Sequence, residues 1–176
     1  MPAISLYVHW PFCLAKCPYC DFNSHIAQDI DAIKWRDALI RDLEIQTRAA
    51  CQYLGVAEGQ LFLTSIFFGG GTPSLMPPFI IADLLDRAAD LCITVPDLEI
   101  TAEANPTSAE TAKLQGFYQA GINRLSLGIQ SLEDDGLKFL GREHDVTEAL
   151  SALDTVRHSF DNLSIDLIYA TAGQTT

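Results

Sequence analysis

Short runs of alternating apolar and polar residues recur along the chain, separated by stretches with a 3.6-residue apolar period. Ile4–His9 reads as a strand with Leu6 and Val8 on one face and Ser5, Tyr7 and His9 on the other. A helix is expected from about Asp31 to Ala50, with Ile33, Arg36, Ile40, Leu43 and Thr47 on one stripe. Leu63–Phe68 reads as a second strand ending in Gly69-Gly-Gly71. Pro77 and Pro78 suit the start of a second helix, whose stripe is Ile81, Leu84, Leu85, Ala88, Leu91 and Cys92. Leu98–Ala104 predicts a third strand, and Thr107-Ser-Ala-Glu110 a capping box for a third helix that Gly121 ends. Arg124–Gln130 is the fourth predicted strand. Ser131–Leu140 and Val146–His158 read as helices, the latter capped by Asp145 with Glu148, and Leu163–Ala170 is the fifth strand. The unit β–α repeats, which implies a parallel sheet with right-handed crossovers.

The strand faces narrow the fold class. Parallel strands covered on both sides are apolar on both faces. Here Leu98, Ile100, Ala102 and Ala104 oppose Glu99, Thr101, Glu103 and Asn105. Leu125, Leu127 and Ile129 oppose Arg124, Ser126, Gly128 and Gln130, and Leu163, Ile165 and Leu167 oppose Ser164 and Asp166. One face suits helices and the other must line something wet or bound. An α/β fold is expected, a partial TIM-like barrel with about five parallel strands and its chemistry at the C-terminal strand ends. The cysteines, Gly69–Gly71, Glu103 and Gln130 all fall there.

Composition sharpens this picture. The 176 residues are 48% hydrophobic and 19% charged, which suits a globular domain with a real core. The net charge of −12, without a Lys/Arg run, argues against a nucleic-acid partner. No apolar stretch is long enough for a membrane span. Met1-Pro-Ala-Ile-Ser-Leu6 lacks the basic and apolar regions of a secretory signal, so a cytoplasmic, reducing location is expected.

Candidate chemistry centres on Cys13-Leu-Ala-Lys-Cys17-Pro-Tyr-Cys20. Three thiolates at this spacing can face one soft metal centre. A structural zinc site would recruit a fourth ligand, and His9, Asp21 and His25 are the candidates. An iron–sulfur cluster held by three cysteines would keep one iron open for a non-protein ligand. Cys51 and Cys92 lie on helix stripes or ends and read as packing residues.

This loop, directly after a first strand and with an aromatic before its last cysteine, resembles that of the radical S-adenosylmethionine (SAM) superfamily. The resemblance extends from residue 4 to about 175. It is carried by Tyr7-Val-His-Trp-Pro-Phe-Cys13, Phe68-Gly-Gly-Gly-Thr-Pro73 and Glu103-Ala-Asn-Pro106. Gly121-Ile-Asn-Arg-Leu-Ser-Leu-Gly-Ile-Gln-Ser131, Leu140-Gly-Arg-Glu-His144 and Asn162-Leu-Ser-Ile-Asp-Leu167 extend it and point to the coproporphyrinogen-oxidase-like branch. It implies a [4Fe–4S] cluster on Cys13, Cys17 and Cys20, with SAM chelating the open iron. In that family the reduced cluster donates an electron to the sulfonium and cleaves SAM to a 5′-deoxyadenosyl radical. It also implies that Tyr7, Tyr19, Gly71, Thr72, Glu103, Gln130, Arg142 and Asp166 surround SAM. Physical reasons accompany these assignments. Glycines admit close backbone approach, carboxylates suit the ammonium and sulfonium, Arg142 suits a carboxylate, and Gln130 both donates and accepts.

Within that branch, oxygen-independent coproporphyrinogen III oxidases carry a further cysteine two residues past the triad, where this chain has Phe22. Cys20-Asp-Phe-Asn-Ser24 is similar to HemW-type haem chaperones, which bind haem and deliver it to haem proteins. The resemblance thus implies haem or a porphyrin(ogen) as a further ligand and haem-accepting proteins as partners. The oxidase and a structural zinc module stand as the alternatives. Ile168-Tyr-Ala-Thr-Ala-Gly-Gln-Thr175 departs from the family's Gly-Leu-Pro-Gly-Gln-Thr. The family's chains are also considerably longer. Residues 1–176 are therefore expected to form a radical SAM core domain incomplete at its C-terminus, without the C-terminal domain, and with an uncovered apolar face on the last strand.

Overall fold

The computed structural model describes residues 1–107, 111 and 113–174. Its strands are β1 (Ala3–Trp10), β2 (Phe12–Cys13), β3 (His25–Ile26), β4 (Phe62–Gly70), β5 (Ile93–Ala104), β6 (Arg124–Gln130) and β7 (Asn162–Leu167). Its helices are α1 (Ala32–Leu54), α2 (Pro78–Leu91), α3 (Leu114–Gln119), α4 (Asp134–Phe139) and α5 (Val146–Val156), with a 3-10 turn at Pro73–Leu75.

The main sheet has the order β1-β4-β5-β6-β7, and every pairing is parallel. Strand order therefore follows chain order, with no reversal. A doubly wound sheet reverses order at a switch point and covers both faces with helices. Sequential order instead builds the wall of a barrel, with helices outside and a lumen inside. The fold is an α/β partial TIM-like barrel with five parallel strands, as the strand faces predict.

Helix ends follow local chemistry. The Asp31 carboxylate accepts from the Lys34 amide at 3.0 Å and starts α1, and Gly55 ends it at a φ of 68°. Asp145 and Glu148 form the expected capping box on α5. The capping box expected at Thr107–Glu110 lies outside the described residues. Several expectations on extent and facing change: α1 runs on to Leu54, and the helix expected from Ser131 begins at Asp134. α1 turns Leu43, Thr47 and Cys51 inward while Ile33 is exposed. β5 begins at Ile93, because a register shift in its pairing with β4 lets it continue through Pro96. β7 ends at Leu167, and Ala170 adopts a φ of 61° that no strand sustains.

The core lies between the outer sheet face and the helices. Trp10, Phe68, Leu125, Leu127 and Ile129 from the strands meet Ile80, Leu84, Phe117 and Val156 from the helices, all fully buried. Each such side chain contributes about 1.5–3 kcal/mol by leaving water. Cys51 and Cys92 are buried free thiols beside this core, in keeping with a packing role. At the C-terminal edge, Ile165 and Leu167 remain 42% and 50% exposed, with no helix among the described residues packed over them. No helix among the described residues is long and apolar enough to cross a membrane.

Candidate functional site

The cysteine loop springs from the C-terminal end of β1 and returns through β3. The short parallel β2–β3 pair closes its base, with the His25 amide donating to Pro11 O at 2.7 Å and Ala27 to Cys13 O at 3.2 Å. Cys13 is buried, and Cys17 and Cys20 are half-buried. The glycine run after β4 is stitched to the same base: the Gly71 amide donates to Trp10 O at 2.7 Å and Thr72 to Phe12 O at 2.8 Å. A Cβ on Gly71 would stand 3.0 Å from Cys13 Sγ and 2.7 Å from Phe12 O, so only glycine lets the two loops touch. From the other side, Gly141, at a φ of 65°, lies where a Cβ would meet Pro18 Cδ at 2.6 Å. The loop is thus held between the glycine turn and the 140–144 segment.

A cavity of about 310 Å³ opens at the C-terminal ends of the strands. Cys13, Cys17 and Cys20 line it together with Tyr19, Gly71, Thr72, Glu103, Gln130, Arg142 and Asp166. Ten of the eleven residues singled out from sequence therefore meet in one place. The exception is Tyr7, which is 56% exposed on the inner face of β1, outside the lining. Its hydroxyl donates to His9 Nδ1 at 3.0 Å. His9 Nε2 donates to Asn23 O at 2.9 Å; a carbonyl only accepts, so Nε2 carries the ring proton. Gly69 and Gly70 do not line the cavity either. Cβ atoms there would meet the Tyr7 ring at 2.9 Å and the His9 ring at 2.7 Å, so these two glycines make room for side chains. Asn105, Ser126 and Gly128 also line the cavity. Alternation along the strands puts all three on the polar face, but only their depth along the barrel axis separates them from other polar-face residues, and that needs the register.

Arg142 is deeply embedded. Nη1 reaches Cys17 Sγ at 3.4 Å and Tyr19 OH at 3.3 Å, and Nη2 donates to Asn105 Oδ1 at 2.5 Å and Gly128 O at 3.1 Å. Its Nε is buried and has no hydrogen-bond partner among the described residues. Burial raises the Glu103 carboxyl above its usual range; the Gly70 amide opposes the shift, Asp166 adds to it and His9 opposes it. Burial likewise raises the Tyr19 hydroxyl, against the pull of Arg142. Burial also raises Tyr7, with Glu103 adding to it.

Such a set can take a soft metal body on one side and a ligand with both cationic and anionic groups on the other. No group of three or more His, Cys, Asp or Glu side chains among the described residues is gathered so as to hold a single metal ion. A mononuclear zinc site needs its ligands to converge on one point. Moreover, His9, Asp21 and His25, the candidate fourth zinc ligands, do not line the cavity.

Comparison with known proteins bears on the family. The model of the radical SAM superfamily matches residues 7–176. The bovine (Bos taurus) mitochondrial radical S-adenosyl methionine domain-containing protein 1 is 42% identical over 171 residues, covering 97% of this chain and 37% of that protein. The heme chaperone HemW of Haemophilus influenzae is 42% identical over 177 residues, covering 99% of this chain and 45% of that one. Among solved structures, coproporphyrinogen III oxidase (HemN) from Escherichia coli aligns with a TM-score of 0.80 at 28% identity, covering 99% of this chain and 38% of HemN. The chain thus spans less than half the length of these relatives. With the family model matched over nearly its whole length and the three thiols facing one cavity, the chain belongs to the radical SAM superfamily.

Proposed function

We propose that residues 1–176 form the core domain of a radical SAM protein of haem and porphyrin metabolism. In this reading Cys13, Cys17 and Cys20 hold a [4Fe–4S] cluster and SAM lies beside it in the cavity. The observation that carries it is the shared cavity. Three thiols, one guanidinium and two carboxylates, drawn from distant parts of the chain, line the same 310 Å³. When bound, the cluster supplies an electron to the sulfonium of SAM. The chain's own residues bind and orient. Arg142, which lines the cavity, suits the carboxylate. Glu103 and Asp166 suit the ammonium and sulfonium. Gln130 both donates and accepts, Gly71 and Thr72 offer backbone at close range, Tyr19 closes one wall, and Tyr7 contributes from the rim.

We read the complete protein as a haem chaperone that binds haem and delivers it to haem proteins. Phe22 supports this: it lines the cavity where the oxidases carry a further cysteine. The second reading, an oxygen-independent coproporphyrinogen III oxidase, draws on the structural likeness to HemN. Five free thiols suit a reducing compartment, the cytoplasm or, as the name of the bovine relative suggests, the mitochondrion.

Anaerobic reconstitution with iron and sulfide tests the cluster. A brown, oxygen-sensitive protein with about four irons per chain is expected, and its loss in Cys17→Ala. A colourless protein holding stoichiometric zinc overturns the reading. For the full-length protein, a stable haem complex without coproporphyrinogen III turnover supports the chaperone. Turnover without a stable haem complex supports the oxidase.

A further inference from the structure

The lumen face of β5, β6 and β7 carries an uninterrupted line of polar side chains from the floor of the barrel to the cavity. Arg124, at the start of β6, does not line the cavity. Its Nη1 donates to Thr101 Oγ1 at 3.1 Å and stands 3.7 Å from Glu99 Oε1. Its Nη2 donates to Ser164 Oγ at 3.1 Å. Ser164 Oγ lies 3.0 Å from Ser126 Oγ, and Ser126 Oγ lies 3.1 and 3.2 Å from the two oxygens of Asp166.

The direction of this line is dictated at both ends. A guanidinium only donates and a carboxylate only accepts. Ser164 therefore accepts from Arg124 and gives its own proton to Ser126 Oγ at 3.0 Å, the nearer of two acceptors, with Leu125 O at 3.5 Å. Ser126 must in turn give its proton to Asp166. Register makes the line possible: Ser126 pairs with Ser164 across β6 and β7, so the hydroxyls sit side by side on the lumen face. Ser126 is itself buried, so water does not compete freely for its hydroxyl.

We propose that Arg124, Ser164 and Ser126 are positioning residues that orient the Asp166 carboxylate for the cationic part of the SAM in the cavity. The cation at the floor polarises two hydroxyls in series, and the last of them takes up one lone pair of each Asp166 oxygen. Asp166 lines the cavity, so its other lone pairs are available to the ligand. This rests on the cavity being the SAM site.

The test measures SAM dissociation constants by calorimetry on anaerobically reconstituted protein. Failure of the unsubstituted protein to bind SAM defeats the reading of the cavity itself, whereas the inference concerns only ratios among variants. Ser126→Ala should weaken SAM binding about five- to tenfold, less than the direct loss of a hydrogen bond to a charged group because Ser126 acts through Asp166. Ser126→Thr, which keeps the hydroxyl, should restore binding to within about twofold, and Ser164→Ala should give a smaller loss than Ser126→Ala. In an Asp166→Asn background, Ser126→Ala should add less than about twofold, because a residue that acts through Asp166 has nothing left to orient. Iron content should equal that of the unsubstituted protein throughout. Full additivity in the double variant, unchanged binding in Ser126→Ala, or loss of the cluster from both Ser126→Ala and Ser164→Ala overturns the proposal.

Discussion

The guanidinium of Arg142 lies 3.4 Å from the sulfur of Cys17, across 125 residues of sequence. Arg142 thereby joins the segment after α4 to the cysteine loop, and the same guanidinium holds Asn105 after β5 and the Gly128 carbonyl in β6. No surface ion pair is involved.

Replacing Arg142 with lysine separates these duties. A lysine has no planar fork and cannot reach four partners at once. Arg142→Lys should retain the cluster, because all three thiols remain, but weaken SAM binding about 10- to 100-fold, the range for lost charge-assisted hydrogen bonds. Iron content beside a SAM titration checks this.

The contact between Gly141 and Pro18 offers a second test. Gly141→Ala meets a left-handed φ of 65° and a 2.6 Å clash with Pro18 Cδ. The backbone component costs about 1–2 kcal/mol and the clash about 1–3 kcal/mol. Pro18→Ala in the same chain should recover the steric part and leave the backbone part. Urea denaturation of the single and double variants measures both.

Gly71→Ala should act on the cluster more than on the fold. Its Cβ would press on Cys13 Sγ and Phe12 O, the latter a backbone atom that cannot swing away. Reconstituted iron should fall to less than about half, with a loss of about 1–3 kcal/mol in denaturation.

Glu103 predicts a pH dependence. Its folded carboxyl is raised by burial, so between its unfolded and folded values the native state holds the extra proton. Stability then falls as pH rises through that window. Glu103→Gln should therefore stabilise the protein at neutral pH. The gain should shrink as pH falls through the folded value and vanish below about 4.5, where the carboxyl is protonated in both the folded and unfolded states. Denaturation midpoints of the two proteins from pH 4 to 7.5 check the sign.

At the open edge, Ile165→Lys should raise the concentration at which the isolated chain stays monodisperse, with a stability change within about 0.5 kcal/mol. The side chain is already 42% exposed, so little packing is lost. Light scattering against concentration reads the effect.

Much of this protein is decided by the order of residues alone. Alternation in Leu98–Asn105 and Arg124–Gln130 determines which face meets helices, because a strand side chain has only two directions to take. Asp145 and Glu148 determine where α5 starts, because a cap acts over one turn. The cysteine spacing and the motifs around it determine the family. Tertiary structure decides what depends on depth and on distant neighbours. It leaves Tyr7 outside the cavity, on β1, one of the sheet's two edge strands. It puts Gly69 and Gly70 beneath Tyr7 and His9, and leaves Gly71 alone against Cys13. Register across β6 and β7 brings Ser126 to Ser164 and Asp166, and nothing within either strand records that pairing. The cavity itself is of this second kind: its thiols, guanidinium and carboxylates are local facts of sequence, but their meeting follows from strands laid side by side in chain order.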